Sequence, residues 1–211
     1  MDIADSILLR LGSKSAERGA IAGLLAMLQA RDARAFTDSH AVAAWCERLT
    51  ERLGLSPATR NVVVKSAVLH DVGNVALPDA VLRKRSALTG AEWTVMQQHA
   101  QTGAEILARL PALAQYAPVV RAHHERWDGS GYPAGLKGPA IPIEARIIAV
   151  ADAFHAMISE RPHRAARTQR DAIAILRDGR GAQWDPTVID AMISLLQAPR
   201  TDAGERYVAL H

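Results

Sequence analysis

The chain has 211 residues, of which 49% are hydrophobic, 22% charged and 4% aromatic. This composition is typical of a globular protein and excludes a disordered or collagen-like chain. The formal charge of +3 is too small for this length to indicate bulk binding of nucleic acid or membrane surfaces.

The longest apolar run, residues 20–28, is too short to span a bilayer. The opening Met1-Asp2 has no basic region of the kind that starts a secretory signal. Cys46 is the single cysteine, so an internal disulfide is excluded. We therefore expect a cytoplasmic protein without DNA, RNA or membrane partners.

Helical signals follow one another along the chain, and no segment alternates as a strand does. Helices are predicted over 15–31, from Thr37 to Leu53-Gly54, from Ser56-Pro57, from Thr89, and over 112–127, 143–160, 168–178 and 186–197. Residues 61–72 are apolar nearly all round and predict a buried helix that ends at Gly73. The predicted fold class is all-α, with an N-terminal helical extension (1–33), a main domain (34–198) and a C-terminal tail (199–211).

Residues 128–142 interrupt this helical pattern with four Gly and three Pro. A loop of this length within a compact helical domain is usually functional. Two basic groups also stand out, Arg83-Lys84-Arg85 and the arginines at 161, 164, 167 and 170. Each basic group could be a solvated face or a rim that binds phosphate.

The chemistry is concentrated where polar residues interrupt apolar helices. His70-Asp71 ends the apolar segment 61–72, and Asp152 and His155 interrupt the apolar segment 147–157. A buried carboxylate is costly unless it is paired or binds a metal. Imidazole and carboxylate donors without thiolate suit Fe, Mn, Ni or Zn. For any single histidine, a hydrogen-bonded core or surface position remains the alternative.

Several ordered motifs make the chain recognisable. They are His70-Asp71-Val-Gly, Leu77-Pro78-Asp79, Leu88-Thr89, Glu92-Trp93, His99, His123-His124-Glu-Arg-Trp-Asp-Gly-Ser-Gly-Tyr-Pro133, Arg146 to Asp152, Ser159-Glu-Arg161-Pro-His-Arg164 and Trp184-Asp185-Pro186. In this order and spacing they resemble the HD-GYP phosphodiesterase family. The resemblance runs from about His40 to Leu196.

The resemblance implies a five-helix HD core with extra terminal helices and a long GYP loop. It implies hydrolysis of cyclic di-GMP to pGpG or GMP by a water between two metal ions, Fe or Mn with Ni or Zn as alternatives. The implied metal ligands are His40, His70, Asp71, His99, His123, His124 and Asp152, with Asp71 bridging the ions. Tyr132, Arg161 and Arg164 would contact substrate, and the Gly-Tyr-Pro loop could also contact GGDEF-domain proteins.

Three positions depart from the family pattern and bear on catalysis. Asn74 replaces the usual Lys, His155 replaces an Asp, and Phe36 replaces the Glu that trinuclear members carry. We therefore expect two metal ions and slow turnover, with Asp71, Asn74 and His155 as the catalytic group. Losing a cation that acts on transition-state charge could cost about 10²–10³ in rate.

Two other functions remain open from the sequence. The domain could bind cyclic di-GMP or a protein without turnover, which the loss of the lysine favours. It could also hydrolyse another nucleotide, although the intact Gly-Tyr-Pro motif is not a feature of generic HD hydrolases. An apolar stripe of Ile3, Ile7, Leu8 and Leu11 could form a homodimer contact, although packing of this stripe on the chain's own core is the favoured alternative.

Overall fold

The computed structural model describes residues 15–160 and 165–198, which form nine α-helices and no β-strand. The helices are α1 Ser15–Arg31, α2 Ala33–Arg52, α3 Pro57–Leu69, α4 Asp79–Leu82, α5 Gly90–Ala108, α6 Ala117–Ala122, α7 Ile143–Ile158, α8 Gln169–Asp178 and α9 Pro186–Gln197. Short 3₁₀ segments cover Val72–Ala76, Ala114–Tyr116 and Gly138–Ala140. The all-α prediction is confirmed.

Local capping explains most helix starts. Ser56 and Thr168 each accept a hydrogen bond from a backbone N–H in the first turn, and Thr89 forms a capping box with Glu92. The prediction that α2 begins at Thr37 is wrong. Asp32 caps this helix by accepting from the Ala35 N–H at 3.0 Å, so the helix begins at Ala33.

The predicted helix over residues 61–72 is shorter than expected. Helix α3 ends at Leu69, and the chain passes through His70 and Asp71 into the 3₁₀ segment. Gly73 therefore does not end the helix. A Cβ at this position would overlap the backbone carbonyl of His99, so glycine lets the HD segment lie directly against α5.

The predicted helix over residues 112–127 is also wrong as a single element. The chain forms a 3₁₀ turn and then the six-residue α6, which ends at Ala122. His123 and His124 consequently lie in the turn that follows α6. The helix expected over 143–160 ends two residues earlier, at Ile158.

The core lies where α2, α3 and α7 pack together, with α5 and α6 on the adjoining side. Burial of each large aliphatic side chain there contributes about 1.5–3 kcal/mol. Helix α1 is attached by a buried ion pair, since Lys65, only 1% exposed, donates to both Glu17 carboxylate oxygens at 3.0 Å. The Tyr116 hydroxyl also donates to Glu17. None of the described helices combines the length and apolar character needed to cross a bilayer.

Candidate metal centre

Four histidines are held by the same local hydrogen bond, made to a backbone carbonyl three or four residues earlier. The histidine Nδ1 lies 2.8 Å from the Phe36 carbonyl oxygen in His40 and 2.7 Å from the Ala67 carbonyl oxygen in His70. It lies 2.7 Å from the Met96 carbonyl oxygen in His99 and 2.5 Å from the Val120 carbonyl oxygen in His123. A carbonyl can only accept, so each Nδ1 carries the proton. The lone pair of each neutral ring is therefore on Nε2, the arrangement expected of a histidine oriented to bind a metal.

The Nε2 atoms of His99, His123 and His124 converge. Nε2 of His99 lies 3.3 Å from Nε2 of His123 and 3.2 Å from Nε2 of His124. In neutral His99 and His123 both Nε2 atoms are acceptors, so they cannot hydrogen-bond to each other. Lone pairs this close repel unless a cation lies among them.

Asp71 brings a carboxylate to the same place. Its two oxygens lie 3.5 Å from Nε2 of His70 and 3.5 Å from Nε2 of His99. Two overlapping groups of donors, His99 with His123 and His124, and His70 with Asp71 and His123, each keep their ligand atoms within 4.8 Å of one another. This geometry could hold a divalent metal ion, as the donor types predicted.

Burial and charge act in opposite directions on this cluster. Burial and the neighbouring histidines lower the pKa of His123 well below its usual range and that of His124 to about 3. Burial also opposes protonation of His70, yet the charges of Asp71 and Asp152 raise its pKa. For Asp71, burial is outweighed by the surrounding histidines, so its pKa is lowered. Asp71, His123 and His124 therefore remain in the form that binds metal at neutral pH.

His40 and Asp152 belong to the helices α2 and α7, which pack against each other. Nε2 of His40 is buried and has no hydrogen-bond partner among the residues that the structure describes, which is costly unless a ligand occupies that direction. Asp152 lies near enough for its charge to act on His70 and Tyr132. Direct distances thus join five of the seven expected ligands, and charge relates Asp152 to the same cluster. The placement of His40 among the ligands stays a prediction.

His155 contacts a carboxylate that the sequence did not indicate. Its Nε2 lies 3.2 Å from Oδ1 of Asp38 on α2. Arg34 lies 3.5 Å from the other Asp38 oxygen and donates to the Glu160 carbonyl at 2.7 Å. The negative charge of Asp38 also acts on His70 and Asp71. His155 is therefore oriented by a group from another helix at the edge of the histidine cluster.

The Gly-Tyr-Pro loop is held by a buried carboxylate. Glu125, 4% exposed, accepts from the backbone N–H groups of Ala134 at 2.7 Å and Leu136 at 3.0 Å. A Cβ at residue 131 would overlap the backbone of residues 125 and 126, so glycine allows this close return of the chain. The loop is thereby fixed against the turn that carries His123 and His124.

Tyr132 is placed at the cluster by this loop. Its ring stacks on His124, with 4.9 Å between the ring centroids and an interplanar angle of 30°. Burial, with the charges of Asp71 and Asp152, raises the pKa of its phenol. The expected substrate residue thus borders a candidate metal ligand.

The remaining predicted site residues are placed less directly. Asn74 is buried in the 3₁₀ segment, and its backbone N–H donates to the Asp71 carbonyl at 2.9 Å. Arg161 and Arg164 lie outside the described residues, as does the apolar stripe of residues 3–11.

Two polar residues near the site, Asp38 and Glu125, were not predicted from the sequence. Glu125 directly follows the paired histidines and precedes the Gly/Pro-rich loop, so a buried loop anchor could have been suspected there. Asp38 carries no such signal, because its partner His155 is 117 residues away.

The HD domain family matches residues 22–188 of the chain. This chain belongs to the HD domain family. A cyclic di-GMP phosphodiesterase response regulator, RpfG, from Xanthomonas campestris is 45% identical over 147 residues, which cover 69% of this HD domain protein and 39% of RpfG. A 3'3'-cGAMP-specific phosphodiesterase 2 from Vibrio cholerae is 35% identical over 191 residues, covering 90% and 37%. The chain thus spans about two fifths of the length of these relatives.

A solved structure gives the same fold. Bd1817, described as an HDG"Y"P protein from Bdellovibrio bacteriovorus, superposes with a TM-score of 0.66 over 87% of this chain and 61% of that one. At 18% identity this likeness concerns the fold. With the family match and the ordered motifs, it confirms the expected resemblance to HD-GYP proteins.

Proposed function

We propose that this HD domain is a metal-dependent phosphodiesterase that hydrolyses cyclic di-GMP to pGpG or GMP. The observation that carries the proposal is the convergence of histidine Nε2 atoms on Asp71, with Nδ1 of four histidines held by backbone carbonyls. The names of the relatives support the reaction and the substrate class.

The donor set suits divalent ions with a preference for nitrogen and oxygen, Fe or Mn first and Ni or Zn as alternatives. His40, His70, Asp71, His99, His123, His124 and Asp152 would hold two ions. Such ions, when bound, lower the pKa of water and neutralise charge on the attacking and leaving oxygens. The buried Nε2 of His40, which lacks a hydrogen-bond partner within residues 15–160 and 165–198, fits this assignment. Phe36, whose ring packs on His40 at 4.4 Å, offers no donor for a third ion.

The other residues would position substrate and protons. Asn74 can donate a hydrogen bond to phosphate but carries no charge, which is consistent with slow turnover. His155, oriented by Asp38, would orient the site or donate a proton to the leaving oxygen. Arg161 and Arg164 would contact a phosphate through charge-assisted hydrogen bonds.

A second cyclic dinucleotide is also a candidate substrate. The relative that matches 90% of this chain is named as specific for 3'3'-cGAMP. Both dinucleotides present the same phosphodiester to the metal centre and differ in one purine base. The choice between them therefore depends on residues that contact the bases.

The proposal is tested with purified, metal-loaded protein incubated with cyclic di-GMP or 3'3'-cGAMP. Metal content is measured by elemental analysis, and products are separated by chromatography. We expect two metal ions per chain and slow formation of linear product, with both lost in Asp71→Ala. Binding without product at any metal loading would instead identify a receptor, and a loaded Asp71→Ala would show that Asp71 does not bridge the ions.

We also propose two interactions, one suggested by the family resemblance and one by the apolar stripe of residues 3–11. The Gly-Tyr-Pro loop would contact a GGDEF-domain protein, and the chain would form a homodimer through residues 3–11. Size-exclusion chromatography with light scattering tests the dimer, and the variant Ile7→Asp with Leu11→Asp should shift it to monomer.

A further inference from the structure

Trp93 differs from the other tryptophans of the chain because its ring is largely open to solvent. Trp184 is buried, Trp45 packs edge-on against Phe154, and Trp127 lies under the guanidinium of Arg146. Trp93 is 49% exposed and lies in the first turns of α5. Exposing a large aromatic ring at a functional surface is a feature of binding sites more than of folding.

The ring of Trp93 faces the Gly-Tyr-Pro loop. Its centroid lies 6.4 Å from that of Tyr132, with an interplanar angle of 81°. The two rings therefore form a perpendicular corner. A planar group can stack on one ring of such a corner while its edge meets the other.

The corner is continuous with the candidate metal centre. Tyr132 stacks on His124, whose Nε2 lies 3.2 Å from that of His99. The aromatic rings thus lead from the metal ligands outward to solvent in the order His124, Tyr132, Trp93. A phosphodiester at the metals would carry its base, one sugar away, toward this corner.

A salt bridge joins the start of α5, next to Trp93, to the segment 83–85. Lys84 pairs with Glu92, the residue before Trp93, and so holds the basic segment 83–85 against the start of α5. The planar bases of a dinucleotide match a corner formed by two aromatic rings.

We propose that Trp93 and Tyr132 form a base-binding subsite that stacks one purine of the cyclic dinucleotide. This inference rests on the proposed function and adds to it the residues that recognise the nucleobase. Removing one stacking ring typically weakens nucleotide binding about tenfold to a hundredfold. The effect should depend on the base and not on the phosphate.

The test compares GMP with ribose 5-phosphate as ligands of the metal-loaded protein by calorimetry. Trp93→Ala should weaken GMP binding about tenfold to a hundredfold and leave ribose 5-phosphate binding unchanged, while Trp93→Phe should retain most of the GMP affinity. Met27→Ala, which removes another exposed large apolar side chain, serves as the matched control and should change neither. GMP should also quench tryptophan fluorescence in the unaltered protein and not in Trp93→Phe.

Unchanged GMP affinity in Trp93→Ala would overturn the proposal, as would equal losses for both ligands. A change confined to oligomeric state would identify Trp93 as a protein contact and also overturn it. These measurements do not require hydrolysis. Base-dependent binding in a protein that forms no product would therefore reject the proposed function while supporting the subsite.

Discussion

The Glu17–Lys65–Tyr116 cluster and the histidine cluster around Asp71 both bury several polar groups, but they differ in how hydrogen-bond donors and acceptors are paired. In the first, the Lys65 ammonium and the Tyr116 hydroxyl donate to the Glu17 carboxylate. In the second, the Nε2 acceptors of His99 and His123 face each other at 3.3 Å. Complementary partners close a structural cluster, whereas converging acceptors are satisfied only by an added cation.

Removing one member of the Glu17–Lys65–Tyr116 cluster should have the largest effect on stability. Glu17→Ala leaves the Lys65 charge buried without its carboxylate, and we expect a loss of about 3–5 kcal/mol in the free energy of unfolding. Urea denaturation followed by circular dichroism measures it. Metal content per folded chain should not change.

Two controls separate burial from charge. Asp190→Ala removes the carboxylate of the exposed Arg180–Asp190 pair and should cost about 1 kcal/mol or less. Glu17→Leu with Lys65→Met replaces the buried pair by apolar groups and should recover most of the loss. If Glu17→Ala costs no more than Asp190→Ala, the buried Glu17–Lys65 pair stabilises the fold no more than an exposed pair does.

Adding metal should stabilise the protein through the histidine cluster around Asp71 and not through the Glu17–Lys65–Tyr116 cluster. A ligand at 100 times its Kd raises the free energy of unfolding by about 2.7 kcal/mol when it binds only the folded state. We expect Mn²⁺ to produce such a rise in thermal or urea unfolding and a chelator to reverse it. Asp71→Ala should lose this rise, and Glu17→Gln should keep it. A rise of the same size in Asp71→Ala would place the metal elsewhere.

Acid should destabilise the metal-stripped protein through the same cluster. The pKa of His123 is lowered well below its usual range and that of His124 to about 3, so the unfolded chain binds protons that the folded chain does not. The stability contributed by these neutral rings is present above about pH 6.5 and is lost as the pH falls toward 3. The raised pKa of His70 changes stability with pH in the opposite direction, but it is one group against two.

The slope with pH measures this effect. Each such histidine contributes up to about 1.4 kcal/mol per pH unit between the two pKa values. His124→Gln should therefore flatten the dependence of unfolding free energy on pH between 6 and 4. Parallel curves for His124→Gln and the unaltered protein would contradict the assignment.

The smallest expected effect concerns Asn74 and His155, two of the positions that depart from the family pattern. Asn74→Lys alone should raise turnover little, because His155 offers that lysine no anion. Asn74→Lys combined with His155→Asp should raise turnover by more than the product of the single effects, as coupled neighbours do. Steady-state kcat for the four proteins measures the coupling.

Asp38 provides the control for this pair. Asp38→Asn removes the carboxylate that contacts His155 and should lower kcat about tenfold or more with metal content retained. The same change should have less effect where residue 155 is Asp. Strictly multiplicative effects of Asn74→Lys and His155→Asp would show that the two positions do not communicate.

Local interactions allowed much of the helix pattern to be predicted from the sequence. Ser56, Thr89 and Thr168 cap helices through hydrogen bonds within three residues, so the signal and the structure lie in the same short segment. Local signals gave a wrong helix boundary where two residues could each begin or end the helix. Asp32 rather than Thr37 starts α2, and the chain leaves α3 before Gly73 so that His70 and Asp71 can face α5 and the turn after α6.

The sequence by itself determined the helical class, the HD and Gly-Tyr-Pro motifs and the residue types that suit a divalent metal. The tertiary structure decided which of those groups meet. The contacts of His155 with Asp38, Lys65 with Glu17 and Trp93 with Tyr132 join residues that are far apart in sequence. Such pairs depend on how whole helices pack, because no hydrogen bond within one turn of chain can specify a partner on another helix.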